Sequence, residues 1–335
     1  MVGSEVNVRY LCGFAGSSGL CLVGTDRRDF LTDFRYVERA EEEVGEGWSR
    51  PEPSYTLWAD AIASMPDGSK IGFEDARVTV RDLESMKETA GDRLQLSPAG
   101  DLVEGLREIK ETDEIERIRA ATAMADGIFQ WLIEFGFEGR TELEVLHAAE
   151  VRIAELGAKP SFPPIIAAGP NGARPHAEPG DRRIARGDLV TIDLGVELDA
   201  YCSDCTRTYA IGEVPDRARE IYECVLAGQL ASLGAVEAGA SCQAVDGVGR
   251  ELITEAGFGP NFGHGTGHGV GMEIHEAPTV SQRSTGDLRA GQVVTIEPGI
   301  YLPGEMGVRI EDLVVVTEDG CEILTGLPKE MESVG

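Results

Sequence analysis

The segment Phe262-Gly-His-Gly-Thr-Gly-His-Gly-Val-Gly-Met-Glu-Ile-His275 carries three of the five histidines in the chain, and glycines separate them. Glycine at nearly every second position is unfavourable in a helix or strand, so the run marks backbone that turns sharply or lets another group approach closely. Imidazoles on such backbone can bind a metal or move protons. His264-x-x-x-His268 has the spacing of a helical zinc motif, but glycines lie between the two and no Glu follows the first His, so a helical metalloprotease is excluded. No register reads G-x-G-x-x-G, so a dinucleotide site is not indicated. The remaining members of a metal or proton-transfer site must come from elsewhere in the chain.

Two hairpin-like segments offer them. Asp188-Leu-Val-Thr-Ile-Asp-Leu-Gly195 alternates like a strand, with Leu189, Thr191 and Asp193 on one face, and Tyr201 to Ala210 can return beside it. With Glu197-Leu-Asp-Ala200 as the loop, Asp193 is expected opposite Asp204. Directly opposed residues have Cβ atoms about 4.5–5.5 Å apart and like charges there destabilise a sheet, so such a pair calls for a cation. Near the C-terminus, Val293-Val-Thr-Ile-Glu-Pro298 and Gly307 to Val316 flank the turn sequence Pro303-Gly-Glu305, which sets Glu297 opposite Glu311. Arg309 shares a strand face with Glu311, and Pro298 suits the end of a strand.

Any one of these acids alone reads as ordinary surface charge. Four in a symmetric register, in otherwise apolar strands and with His268 available, read as a metal site. Oxygen-rich ligands with one imidazole favour Mn²⁺, Co²⁺, Fe²⁺ or Zn²⁺ over a pure Mg²⁺ site, and four carboxylates exceed what one such ion requires. Two ions sharing carboxylates, about 3.5–4 Å apart, and activating a water between them would be hydrolytic machinery.

The rest of the chain must position these groups. At 335 residues it is long enough for two domains. Ser97-Pro-Ala-Gly100 is turn-rich and precedes a change to helical periodicity, which sets the expected domains at 1–100 and 105–335. In the first part, Leu20 to Val23 and Asp29 to Thr32 read as strands and Tyr55 to Met65 as a helix. Gly16-Ser-Ser-Gly19 can cradle a phosphate, although a hairpin turn is the simpler reading. In the second part, helices open at Thr112 and at the capping box Thr141-Glu-Leu-Glu144, the latter ending at Gly157. Two more are expected over Pro215–Val236 and Ser241–Ala256. Helices, strands, helices and strands in succession indicate an α+β domain of two similar halves. His147 lies within the second helix without ligand-spaced neighbours and is expected at the surface.

Composition narrows the function. Asp and Glu number 59 against 30 Lys and Arg, for a net charge of -29. That surplus repels nucleic acids and anionic membranes; spread along the whole chain, it fits a halophilic surface adapted to high salt. No apolar run approaches a membrane span, and the first residues have no signal pattern. Seven cysteines, an odd number without regular spacing, fit a reducing cytoplasm. Cys202-Ser-Asp-Cys205 is an isolated C-x-x-C and is read as packing thiols.

The motifs Ile192-Asp-Leu-Gly195, Ser203-Asp-Cys-Thr-Arg-Thr208, Gly263 to Gly271, Thr295-Ile-Glu-Pro-Gly-Ile-Tyr301 and Val308-Arg-Ile-Glu-Asp312 strongly resemble those of the pita-bread metallopeptidases, specifically Xaa-Pro dipeptidases (prolidases) and aminopeptidase P. The resemblance covers residue 105 onward and implies a pita-bread catalytic domain behind a smaller α/β, creatinase-type N-terminal domain. It implies that Asp193, Asp204, His268, Glu297 and Glu311 bind two divalent metals (Mn, Co or Zn), with Asp204 and Glu311 bridging. Glu297 is then also the general base, while His176 and His275 contact the substrate and stabilise the tetrahedral intermediate. His264 is expected to support the ligand histidine, Arg309 to orient a metal carboxylate or a substrate group, and Arg283 to anchor a dipeptide carboxylate.

The implied reaction is cleavage of the imide bond before proline, in dipeptides. The alternatives are aminopeptidase P action on longer Xaa-Pro-Yaa peptides, a general amide or ester hydrolase, and a non-catalytic pita-bread binding module. Intact motifs argue against metal-free creatinase relatives, and the residues in front argue against methionine aminopeptidase. Residues 7–19 and Thr32-Asp-Phe-Arg-Tyr36 also resemble the family's N-terminal domain, which helps to form a homodimer and closes over the active site. They come about 20 residues early against the family pattern, so a first helix and strand are expected to be missing and the native protein to be longer.

Overall fold

The computed structural model describes residues 1–334. The chain forms two compact units, Met1–Arg107 and Glu108–Gly335. In the first, α1 (Glu5–Cys12) is followed by the hairpin of β1 (Gly19–Gly24) and β2 (Arg27–Thr32), α2 (Val37–Glu43), α3 (Leu57–Ala63), β3 (Lys70–Phe73), α4 (Val80–Ala90), β4 (Gln95–Pro98) and α5 (Glu104–Arg107). Phe14, Cys21 and Phe30 centre one apolar cluster of this unit, and Ile62, Ile71, Phe73 and Met86 another. The expected strands and helix are β1, β2 and α3. Gly16 to Ser18 lead into β1 and are not its hairpin turn, which is Thr25-Asp26. Ser97 and Pro98 belong to β4, paired in parallel with β3, so the chain there is still inside the first unit.

The second unit is built twice over. Its first half has α6 (Thr112–Phe135), α7 (Glu142–Glu155), β5 (Lys159–Pro160), β6 (Ile165–Ala168), β7 (Leu189–Asp193), β8 (Val196–Leu198), β9 (Tyr201–Cys202) and β10 (Thr206–Ile211). Its second has α8 (Asp216–Leu233), α9 (Cys242–Glu255), β11 (Gly267–Gly269), β12 (Glu276–Val280), β13 (Val293–Ile296), β14 (Gly299–Leu302), β15 (Met306–Arg309), β16 (Asp312–Thr317), β17 (Gly320–Ile323) and β18 (Ser333–Val334). The helix ends follow their chemistry. Thr141 and Glu144 form the reciprocal capping box at the start of α7, and Gly157 beyond its end takes φ 79°, a left-handed conformation that glycine adopts without strain.

The sheets run β18-β10-β7-β6 and β12-β11-β13-β16-β17, with β6 and β11 flanking the first strand of their respective hairpins. In β7, Val190 and Ile192 pack on Ile128, Phe129, Val145 and Ala149 of α6 and α7, which leaves Thr191 and Asp193 on the opposite face. In β13, Val294 and Ile296 join Val245 of α9, with Thr295 and Glu297 opposite. Helices cover one face of each hairpin, and the acids lie on the other.

The two faces are stitched together directly. Thr208 Oγ1 donates to Arg309 O at 2.9 Å, Glu311 N to Thr206 O at 3.1 Å, and Thr206 Oγ1 to a Glu311 carboxylate oxygen at 2.7 Å. Each hairpin ladder opens at the level of these contacts. The second pairs Ile296 with Asp312 and then Gly299 with Arg309, in the expected register, so Glu297 and Glu311 stand across the gap between them.

The first hairpin departs from expectation. Asp199 (φ 49°) and Ala200 (φ 74°) make a two-residue turn between paired Leu198 and Tyr201, where a four-residue loop was expected. Asp193 therefore faces Thr206, not Asp204. The chain around Asp204 is bracketed by Leu194 N to Cys205 O and Ser203 N to Val196 O, which leaves Gly195 opposite it. A side chain at 195 would meet Ser203 O at 1.8 Å, so only glycine fits. A turn with two positive φ values usually advertises itself with Asn or Gly, and Asp-Ala does so poorly.

Candidate metal centre

Asp204, His268 and Glu311 each present a ligand atom, and these atoms lie within 4.8 Å of one another. His268 Nε2 is 3.5 Å from Asp204 Oδ2 and 3.4 Å from Glu297 Oε1. Its Nδ1 is 3.0 Å from the Gly269 carbonyl, and donation there leaves the Nε2 lone pair directed at the carboxylates. Asp193 joins through Arg309, whose Nη2 is 2.5 Å from Asp193 Oδ2, while Asp193 Oδ1 is buried without a hydrogen-bond partner.

β11 is placed by its glycines. A Cβ on Gly267 would lie 1.8 Å from Thr295 O, and one on Gly269 2.2 Å from Ala277 O, so the strand carrying His268 is pressed between its neighbours. The His268 amide donates to Thr295 Oγ1 at 3.1 Å, and that hydroxyl is 3.3 Å from Glu297 Oε1.

Burial makes this arrangement unfavourable without a cation. Desolvation pushes the Asp204 carboxyl well up, and neighbouring Glu311, Asp193 and Glu297 add to it. Glu311 is raised for the same reason, desolvation first and then Glu297 and Asp193. Desolvation moves Glu297 up to about 7 against the opposing pull of Arg309. Burial lowers His268, keeping its imidazole neutral. An orphaned buried carboxylate oxygen, crowded carboxyls and a neutral imidazole aimed among them fit divalent first-row cations.

Arg309, 4% exposed, donates to Thr206 Oγ1 at 3.0 Å, Tyr301 Oη at 2.8 Å, Pro175 O at 3.3 Å and Asp193. Its guanidinium is thus engaged within the protein. His264 lies outside the carboxylate cluster: Nε2 is 2.9 Å from Tyr301 Oη, and burial lowers its pKa to about 4. His275 is exposed, with its ring 4.5 Å from that of His268 and edge-on; partial burial, and then His268 and His176, keep it neutral. His176 is exposed on the loop whose Pro175 carbonyl receives Arg309. Arg283 is exposed in the loop after β12, and His147 is exposed on α7. Cys202 and Cys205 are buried thiols directed at the Met272 and Glu311 carbonyls.

Comparison with known proteins fits this geometry. The family model described as metallopeptidase family M24 matches residues 116–318, and that described as the creatinase/prolidase N-terminal domain matches residues 1–109. The chain is an M24 metallopeptidase. It is 37% identical over 333 residues to the Xaa-Pro dipeptidase of Pyrococcus furiosus, covering 98% of this chain and 94% of the relative. The solved Xaa-Pro dipeptidase from Bacillus anthracis superposes with a TM-score of 0.95 at 38% identity, covering 99% of this chain and 94% of that one. The X-Pro aminopeptidase from Thermotoga maritima gives a TM-score of 0.90 at 34% identity, covering 99% and 95%. The creatinase-type and pita-bread architecture read from the motifs is therefore that of the chain. No described helix of this M24 enzyme is long and apolar enough to cross a membrane.

Several supporting residues lie within the motifs or helices without a role legible from the sequence. Arg207 and Asp312, 2% and 0% exposed at the side chain, form an ion pair at 2.8 Å, and Arg207 also reaches the Glu311 carbonyl. Asp312 further accepts from Gln229 at 2.8 Å and Lys329 at 2.6 Å. Asp246 and Glu142 are likewise buried acids on helices. A charged residue in an otherwise amphipathic pattern looks like a surface residue until its partner, distant in sequence, is known.

Proposed function

We propose that this M24 metallopeptidase hydrolyses the imide bond of Xaa-Pro dipeptides with two divalent cations held by Asp193, Asp204, His268, Glu297 and Glu311, Asp204 and Glu311 being shared between them. The observation that carries the reading is the buried cluster itself: carboxyls from two hairpins and a neutral His268 Nε2 converge, with Asp193 Oδ1 left unpartnered. The names of the P. furiosus and B. anthracis relatives support the substrate class. When bound, such cations polarise a scissile carbonyl and lower the pKa of water.

The chain's own groups supply the rest. Glu297, whose Oε1 lies 3.4 Å from His268 Nε2 in the cluster, is placed to accept a proton from water and pass it on to the proline nitrogen. Arg309 holds Asp193 in one orientation. His275 and His176, exposed beside the cluster, can donate hydrogen bonds to the developing oxyanion, His275 as a neutral imidazole. Arg283 is the proposed anchor for the dipeptide carboxylate, and Mn²⁺, Co²⁺ or Zn²⁺ are the proposed ions, given the oxygen-rich donor set with one imidazole.

The likeness to the T. maritima X-Pro aminopeptidase favours a second reading, removal of the first residue from longer Xaa-Pro-Yaa peptides. A hydrolysis panel of Xaa-Pro against Xaa-Pro-Yaa, run in high salt with Mn²⁺, Co²⁺ or Zn²⁺, separates them. Faster turnover of dipeptides, reduced in Arg283→Ala, is expected. Preference for the longer peptides establishes the second reading, and no turnover of any proline peptide sinks both.

A further inference from the structure

Asp246 lies in the second turn of α9 with none of its surface exposed, and Arg250 stands one turn on. Their contact is bidentate, Nε to Oδ2 and Nη2 to Oδ1, each 2.7 Å. Arg250 then reaches across to the glycine-rich run, donating to Phe262 O at 2.8 Å and His264 O at 2.6 Å, with its guanidinium 3.8 Å from the centre of the Phe262 ring. Asp246 Oδ1 takes two further bonds from the same run, Thr266 N at 3.0 Å and Thr266 Oγ1 at 2.9 Å. The carbonyl of Thr266 accepts the backbone N–H of Glu297 at 2.7 Å.

A buried carboxylate is costly unless its charge and lone pairs are satisfied. Here Arg250, on the same helix, supplies the counter-charge and two of the bonds, and Thr266 of the glycine-rich run supplies the other two. Residues 262–266 are otherwise held by the buried Phe262 side chain and by His264 Nε2, 2.9 Å from Tyr301 Oη. Gly263 and Gly265 lack side chains to pack, and glycine has the most backbone freedom to lose. The clamp fixes Thr266, two residues before His268, and the Thr266 carbonyl in turn accepts the Glu297 backbone N–H.

We infer that Asp246 and Arg250 are positioning residues that clamp the glycine-rich run, and so set the relative placement of His268 and Glu297 for metal binding. This rests on the proposed metal centre but not on the choice of substrate. Neither residue touches the cluster, so their effect is indirect, like that of the groups that orient metal ligands in other sites.

The test is Co²⁺ binding by the full chain, followed by calorimetry and by the visible absorption of the bound ion, with thermal melting alongside. Asp246→Ala should weaken Co²⁺ binding by about 10–100-fold and alter the absorption spectrum, with kcat falling more than KM changes. Asp246→Asn, which keeps an oxygen acceptor for Thr266, should recover part of the affinity. A lower melting temperature with the parent's Co²⁺ affinity and spectrum would overturn the inference, since that is all a purely structural ion pair predicts. Should Asp246→Ala fail to fold, Arg250→Lys and Thr266→Val each remove part of the clamp; a weakened affinity in either supports it, and parental affinity in both overturns it. A parent that binds Co²⁺ but cleaves no proline peptide refutes the substrate reading alone.

Discussion

The two halves of the catalytic unit solve the same folding problem with different chemistry. Each lays a short strand beside its hairpin and pins that strand's neighbourhood with a buried acid from its second helix. In the first half the strand is Ile-Ile-Ala-Ala, and Glu142 accepts from Ala168 N at 2.7 Å, Asn171 Nδ2 at 2.8 Å and Gly180 N at 2.9 Å. In the second the strand is Gly-His-Gly, and Asp246 accepts from Thr266 while paired to Arg250. The apolar strand fills a core, whereas the glycine strand forgoes packing so that one imidazole can stand among carboxylates. The first acid brackets the loop bearing His176. The second secures the segment bearing His268, within the proposed metal centre.

Substitutions can break or sharpen that contrast. The largest effect is expected at Glu297, where the halves converge: Glu297→Gln should lower kcat by about 10²–10⁴-fold, measured on the best proline dipeptide, and parental turnover would refute its role as base. Arg309→Met comes next. It leaves Asp193 buried beside like charges, so metal-free protein should lose about 3–5 kcal/mol in urea unfolding, partly restored by added Mn²⁺. No loss would mean that Asp193 does not depend on that contact.

Glu142→Gln addresses the contrast directly. It should impair turnover by roughly 10-fold through the His176 loop, an effect of the size seen for supporting residues, while leaving Co²⁺ affinity at the parent's value. Equal weakening of Co²⁺ binding by Glu142→Gln and Asp246→Ala would erase the division of labour between the halves.

The smallest effect is pH dependence. The Glu297 carboxyl rises on folding from 4.5 to about 7, with Asp204 and Glu311 raised as well, so the folded metal-free protein holds protons that the unfolded chain has released. Its melting temperature should therefore fall as pH rises from 4.5 through about 7. Metal-loaded protein should lack this slope, and an identical slope in both forms would contradict the cluster's burial.

Much of this was legible in the chain because the site is written in local patterns. Alternation exposed the strands, turn residues located the second hairpin, and glycine spacing singled out His268. The first hairpin's register was missed because Asp199-Ala200 takes positive φ without the residues that signal it. Arg207 and Asp312 lie within the family-like motifs, but their roles, like that of Asp246, depend on partners that only folding supplies. Arg250 reaches Phe262 and His264 across a helix end, and Arg207 reaches Asp312 across 105 positions. Periodicity records which face is apolar, not which charge will find its counter-charge.

On the proposed function, carboxylates from both hairpins and one imidazole together hold two cations. Calorimetric titration of metal-free protein with Mn²⁺ or Co²⁺ tests it most directly, with His268→Ala and Asp193→Asn measured in parallel. Two ions per chain are expected for the parent, with one or both sites weakened in each variant, since each half contributes. Absence of binding, or binding that neither substitution disturbs, would contradict the account.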